Sequence, residues 1–354
     1  MPAERIQRIP AIIGVGSYLP DRVVTTEDVQ ALYPGEEGAR SRKMVAIAAN
    51  RFVGVKERHW VVTGEQATSD LGAIALQRAA DMAGIDLSKI TAVALATSSS
   101  DYVGVPASAI VQAKLGMPDN IRFYDVGGNA CTGLLHAIKN VFTDISNEKY
   151  GDGGPQAALG VEVISGTLPG ADAGVATIFG DGGAAVIIEM VTPDFGAPTN
   201  WGWAFGSDGR LAEELGIPAG GSKLPTSART VAEGKHAVYM NGPVIKENAV
   251  RRMVEMSEAA MKKAGVTSKD VFLLPHQANA QIMQAVAREL EIPEGQYMST
   301  IDHTGNTSAA SIGIALDEAV RQHRVKRNDI LLMASFAAGL SYGAIVMSAV
   351  GLPR

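Results

Sequence analysis

Apolar residues recur at helical spacing through residues 70–83 (DLGAIALQRAADMA), with Thr68 or Ser69 placed to cap the start and Gly84 the end. A polar turn, Asp86-Leu87-Ser88-Lys89, leads into an unbroken apolar run at 91–97. The same order returns about 180 positions later. Residues 244–264 form a second amphipathic pattern closed by Gly265, followed by Thr267-Ser268-Lys269-Asp270 and the apolar run 271–274. The parallel continues: Asn129-Ala130-Cys131-Thr132-Gly133 and Asn306-Thr307-Ser308-Ala309-Ala310 each open a helical pattern. Apolar runs follow at 157–164 and 330–336, and each half closes with a Gly-containing turn and a last strand, 185–188 and 343–346.

Apolar runs without alternation mark strands covered on both faces. The pattern predicts a duplicated α/β unit, two sheets with helices outside and between them, divided into halves 1–194 and 195–354. Residues 34–50 read as a helical or mobile insertion. Residues 195–240, with Trp201, Trp203 and many Gly and Pro, show weak periodicity and read as loops between the halves.

Composition narrows the function. Of 354 residues, 46% are hydrophobic and 19% charged, enough for a large core, and the net charge of −6 argues against a nucleic-acid binder. The single cysteine excludes an internal disulfide, a Cys-based metal site and any mechanism needing two thiols on one chain. The longest apolar stretches fall far short of the ~20 residues of a membrane span, and the N-terminus does not read as a signal peptide. A cytoplasmic protein is expected.

Cys131 sits where a small-residue turn meets a helix N-terminus, a position that lowers a thiol pKa and favours the nucleophilic thiolate. The competing reading is an inert buried thiol. His276 follows a buried strand at its C-terminal edge, where α/β proteins place their sites, and Asn306 occupies the next loop-to-helix junction. Alone, His276 reads as a structural histidine and Asn306 as an N-cap. Together, at matching junctions of the two halves, the three residues suggest one convergent site.

The strings Ala130-Cys131-Thr132-Gly133, Pro275-His276-Gln277-Ala278-Asn279 and Gly305-Asn306-Thr307-Ser308-Ala309-Ala310-Ser311 resemble the three motifs of the β-ketoacyl-acyl-carrier-protein synthase III family, ketosynthases of the thiolase superfamily. Further matches run through nearly the whole chain, among them Gly54-Val55-Lys56-Glu57-Arg58 and Phe179-Gly180-Asp181-Gly182. The resemblance implies a five-layer αβαβα thiolase-like fold and a homodimer. It also implies decarboxylative Claisen condensation of an acyl group on Cys131 with a malonyl or β-ketoacyl thioester. His276 and Asn306 would stabilise the enolate, and the backbone N–H groups of Cys131 and Ala338 would form an oxyanion hole. Phe336 would pack over the site. No cofactor is implied beyond substrates carried on coenzyme A or on acyl carrier protein.

Several positions depart from the family. Its coenzyme A-binding Trp and two Arg fall on Ala48, Phe52 and Ala173, and a carrier-docking Arg falls on Gln281. Lys246 matches a docking lysine, with Arg251 and Arg252 beside it. Val105 replaces a Phe that limits the acyl pocket from the partner subunit. The expectation is a ketosynthase with a longer, non-acetyl starter, in fatty-acid or specialised polyketide or lipid synthesis. The alternatives are an enzyme condensing and cyclising two β-ketoacyl thioesters and, from another class, a non-catalytic partner of an active ketosynthase.

Overall fold

The apolar runs pair into two mixed sheets in the computed structural model, which describes residues 8–32, 49–147 and 153–353. In chain order the strands are β1 (Ile9–Tyr18), β2 (Val23–Thr25), β3 (Glu57–His59), β4 (Ala92–Ala96), β5 (Arg122–Asp125), β6 (Gln156–Glu162) and β7 (Gly182–Val191). There follow β8 (Trp201–Ser207), β9 (Leu215–Gly216), β10 (Tyr239–Met240), β11 (Val271–Pro275), β12 (Ile330–Ala337) and β13 (Ser341–Ser348). The first sheet has the order β1-β7-β6-β4-β5 and the second β11-β12-β13-β8; β2 pairs with β3 and β9 with β10 outside them.

The duplication is visible in the pairing. β4 runs parallel to β6, β6 antiparallel to β7, and β7 antiparallel to β1. β11, β12, β13 and β8 repeat this succession of directions, and β5 is added at one edge of the first sheet.

Six longer helices complete the layers: α1 (Thr68–Ala83), α2 (Ala107–Lys114), α3 (Gly133–Ser146), α4 (Gly242–Ala264), α5 (Ala280–Glu289) and α6 (Ser311–Arg321). α1 covers the outer face of the first sheet together with α2, and α4 covers the outer face of the second together with α5. α3 and α6 lie between the sheets. There Leu134, Leu135, Ile138, Ile312 and Leu316 share one core with Ile12 and Val186 of the first sheet and Leu274, Met333 and Ile345 of the second. Each such side chain, fully buried, stabilises by ~1.5–3 kcal/mol. The architecture is the five-layer αβαβα thiolase-like fold.

Gly84 and Gly265 end α1 and α4 in the left-handed region, at φ 66° and 70°, as the sequence predicts. The cap of α1 differs. Ala67 is the N-cap, Thr68 and Ser69 are buried in the first turn, and Asp70 accepts the Ala67 N–H at 2.9 Å. Of the 34–50 segment, residues 34–48 lie outside those described, and Ala49–Val53 form a π-helical turn. Among the described residues no helix is long and apolar enough to cross a membrane.

Residues 195–240 are not all loop. Trp201–Ser207 form β8, paired with β13 along its whole length. The strand alternates in size rather than polarity, with Gly202, Ala204 and Gly206 between aromatic residues, so a polarity pattern misses it. The small residues are needed because α4 lies directly on the strand: a Cβ on Gly202 would meet the Ala260 carbonyl oxygen at 2.6 Å. Gly202→Ala should therefore force α4 outward and destabilise the protein by about 1–3 kcal/mol, read as a fall in Tm by calorimetry. An unchanged Tm would show that the helix can shift freely.

Candidate active site

Cys131 lies in a one-turn helix, Ala130–Thr132, that runs into α3. Ala130 enters it at φ 39°, a left-handed conformation rare for a residue with a Cβ. The matching turn of the other half, Ser308–Ala310, runs into α6, and Ser308 has φ 49°. The two turns meet: Cys131 Sγ lies 3.4 Å from Ser308 Oγ, 177 residues away in the chain. Glycines permit the approach. A Cβ on Gly160 would stand 2.2 Å from the Ala309 carbonyl oxygen, and one on Gly133 2.6 Å from Ala96 Cβ. Ser335 Oγ on β12 donates to the Cys131 carbonyl at 2.8 Å, and the Thr132 and Ser341 hydroxyls share a 2.7 Å bond.

The helix N-terminus does not leave Cys131 with a lowered pKa, as its position in the sequence suggests. The side chain is buried, and burial pushes the thiol up to about 12, only partly opposed by the bond to Ser308. Burial and the nearby Glu162 carboxyl both disfavour the thiolate, so the resting group is the neutral thiol.

His276 follows β11, its N–H donating to the Ala334 carbonyl of β12 at 2.8 Å. Nδ1 lies 2.7 Å from Ser311 Oγ, at the first residue of α6. Ser311 Oγ accepts the Gln277 N–H at 3.4 Å, which leaves its own proton to donate to Nδ1. With the Ser311 hydroxyl donating to Nδ1, the proton of the neutral ring is on Nε2. Burial drives the imidazole pKa down to about 3, so the ring stays neutral across the physiological range. Gln277 is a buried strut, donating to the Pro275 carbonyl at 2.7 Å and accepting the Thr300 N–H at 2.8 Å. Asn279 caps α5 by accepting from the Gln281 N–H at 2.8 Å.

Asn306 is fixed by its backbone, which donates to the Ile178 carbonyl at 2.9 Å and accepts from Gly180 at 3.1 Å. Gly305 precedes it at φ 64°, with Ile178 O 2.9 Å from where a Cβ would stand. Asn306 Oδ1 accepts the Ser308 N–H at 2.8 Å, so the amide NH2 remains available as a donor. Cys131, His276 and Asn306 are thus all tied to one segment, residues 308–311.

The other expected residues have these places. Ala338 opens the hairpin turn between β12 and β13, whose Gly339 has φ 118°, and the Thr132–Ser341 bond holds that turn beside the Cys131 turn. Phe336 is buried on the face of β12 opposite Ser335, in a cluster with Leu340 and Tyr342. Val105 is exposed, beside exposed Tyr102 and Val103. Lys246 is exposed and its Nζ donates to Gln281 Oε1 at 3.3 Å, so these two docking positions share one surface. Arg251 bonds Asn248 and Glu255; Arg252 bonds Glu255 at 2.8 Å and lies 4.8 Å over the Tyr342 ring.

Three residues of the site escaped the sequence reading: Ser308, Ser311 and Glu162. Glu162 left a signal, as the one charged residue within the apolar run 157–164.

A thiolase-like fold whose central layer joins a thiol, a neutral imidazole and a free amide defines an acyl-transferring condensing enzyme. Comparison with known proteins gives the family. The model of the 3-oxoacyl-[acyl-carrier-protein] synthase III C-terminal region matches residues 261–349. β-Ketoacyl-[acyl-carrier-protein] synthase III of Chlamydia caviae is 34% identical over 342 residues, 96% of this chain and 97% of that protein. The Desulfitobacterium hafniense (strain Y51) protein of the same name is 35% identical over 338 residues, 95% and 96% of the two chains. Among solved structures, the Thermus thermophilus synthase III is 30% identical with a TM-score of 0.81, covering 96% of this chain and 98% of that one. The priming β-ketosynthase of the R1128 polyketide pathway is 26% identical with a TM-score of 0.82, covering 100% and 99%. The chain belongs to the β-ketoacyl-[acyl-carrier-protein] synthase III family, and its reaction class is Claisen condensation of acyl thioesters.

Ser311 should matter to that chemistry through the histidine tautomer. Ser311→Ala should lower the condensation rate by about tenfold or more while acyl transfer to Cys131 changes little, measured as separate half-reactions in single-turnover assays. Equal loss in both would overturn the role assigned to the Ser311 bond.

Proposed function

We propose that this enzyme takes a medium or long acyl group onto Cys131 and condenses it with a malonyl or related thioester, with acyl carrier protein as the preferred carrier. The observation that carries the reading is the attachment of Cys131, neutral His276 and Asn306 to a single turn. The thiol forms a new thioester, which divides one difficult step into two. Decarboxylation of the second substrate leaves negative charge on its thioester oxygen. The Nε2–H of His276 and the amide of Asn306 supply two neutral donors for that charge, and no bound cofactor is needed. Removal of one such donor in comparable sites costs about 3–4 kcal/mol. The N–H groups of Cys131 and Ala338 would serve the oxyanion of the acyl-transfer steps.

The starter preference rests on departures from the family pattern. Phe52 and Ala173 replace guanidinium groups that would hold a nucleotide tail, although Arg51 supplies one cation beside the Phe52 ring, 5.7 Å from its centre. Ala48 lies outside the described residues. Lys246 is an exposed cation for an acidic carrier; Arg251, also exposed, shares Glu255 with Arg252, which lies against Tyr342 as well. Val105, smaller than Phe, leaves room for a longer chain. The exposed Tyr102, Val103 and Val105, with Phe123 on the edge strand β5, support an isologous homodimer that places Val105 at the partner's pocket. A cytoplasmic setting fits these carrier-bound substrates.

Intact-mass analysis after incubation with acetyl and octanoyl donors on both carriers tests the reading. The octanoyl group on carrier protein should load best, at low salt above all, and Cys131→Ala should load nothing. Acetyl-coenzyme A as the best of the four would overturn the starter assignment. Asn306→Ala should slow condensation by about 100-fold or more while leaving loading largely intact. Sedimentation should show a dimer at assay concentration, and a fully active monomer would contradict the assembly.

A further inference from the structure

Burial leaves Cys131 a neutral thiol, so a nucleophilic attack through Sγ must send a proton somewhere. The Ser311 hydroxyl lies on Nδ1 of the His276 imidazole, and a ring that keeps its proton on Nε2 for the enolate, as in the proposed function, is not the acceptor. On the other side of Cys131 lies Ser308, and beyond it a carboxyl group that the condensation chemistry leaves unused. Ser308 Oγ donates to Glu162 Oε1 at 3.2 Å, and Cys131 Sγ stands 3.4 Å from the same Oγ. The directions agree along the chain, thiol to hydroxyl to carboxylate.

We infer that Glu162, acting through the Ser308 hydroxyl, accepts the proton of Cys131 when the thiol attacks the acyl donor and holds it until the thiol is released.

Glu162 is fully buried at the end of β6, surrounded by groups that can donate to it. The Ser98 N–H reaches both carboxyl oxygens at 3.1 Å, Ser99 Oγ reaches Oε2 at 2.7 Å, and Thr97 Oγ1 reaches Oε2 at 3.4 Å. The Ser98 N–H can only donate, which favours the ionised carboxylate, while the Ser99, Thr97 and Ser308 hydroxyls can turn to accept from the carboxyl group once it is protonated. Burial opposes those bonds and raises its pKa to about 7, which lets the same group take up and give back a proton near neutrality. Among the described residues, Cys131 is the titratable group that faces it; Thr97, Ser98, Ser99 and Ser308 are neutral.

The proton balance is complete. In loading, the bond from Cys131 Sγ to the acyl carbon forms, and the thiol proton passes to Ser308 Oγ as the Ser308 proton passes to Glu162. The carbon–sulfur bond of the donor breaks, and the departing carrier thiolate takes a proton from water. In condensation, the enolate attacks the acyl carbon, the Cys131 sulfur leaves, and Glu162 returns the stored proton by the reverse path. No oxidation or reduction occurs.

The inference rests on Cys131 being the acylated thiol, and the test separates the two ideas. Alkylation of Cys131 by iodoacetamide in the full chain, followed by intact mass between about pH 5 and about pH 9, reports proton removal without any acyl substrate. In the wild type the rate should rise through an inflection near Glu162's value of about 7. Glu162→Gln should lose that inflection and fall by about 100-fold near neutrality. Ser308→Ala should behave alike, and loss of the inflection, as distinct from a uniform fall in rate, is a change that a purely structural role would not produce. Should Glu162→Gln fail to fold, Ser308→Ala decides. Wild-type pH profiles in Glu162→Gln or Ser308→Ala would overturn the relay. A relay confirmed by alkylation in a protein that accepts no acyl group would instead overturn the proposed function.

Discussion

The close meeting of two one-turn helices between the sheets is the constraint on which the site depends. The turns Ala130–Thr132 and Ser308–Ala310 come from different halves of the chain, and they touch because Gly160 and Gly133 present no side chain to Ala309 and Ala96. From that contact the rest follows. Ser308 reaches the thiol with its hydroxyl and holds the Asn306 amide with its N–H, and three residues on, Ser311 fixes the imidazole. Each candidate catalytic group sits on or next to a regular element packed on both sides, which is how a site is held to tolerances of tenths of an ångström.

The electrostatics have a common theme. The thiol, the imidazole and the amide are uncharged at rest, and all three residues are buried. In the proposed reaction charge arises only as the steps proceed, and donors for it are in place beforehand. Donors that bind the enolate oxygen more strongly than the neutral thioester oxygen are the ones that accelerate the chemical step.

Much of this was legible in the sequence, for reasons that particular residues show. The strands β4, β6, β11 and β12 are continuous apolar runs because both faces are covered, and α1 and α4 end on glycines that adopt the left-handed conformation required there. The three catalytic candidates stood at turn-to-helix junctions, and the family resemblance covered the same strings. β8 was not legible, because its alternation is between aromatic and very small residues, dictated by the approach of α4. The ionisation of Cys131 was read with the wrong sign: a helix N-terminus is visible in a sequence, but the depth of burial that outweighs it is not. The Nε2–H tautomer of His276 depends on which way a serine hydroxyl points, which only three-dimensional contacts decide. Glu162 escaped notice as a single charge in an apolar run, because the four residues that donate to it come together only in the fold.

The neutral resting thiol also bears on how the protein ages. Peroxides and other two-electron oxidants react with thiolates, and the thiol form is a poor target. Cys131 is the chain's one cysteine, so no neighbouring sulfur could rescue a sulfenic acid by forming an internal disulfide. Oxidation past that stage would be permanent. The burial that makes Cys131 need help to react, in the proposed chemistry, also keeps its thiolate scarce between turnovers.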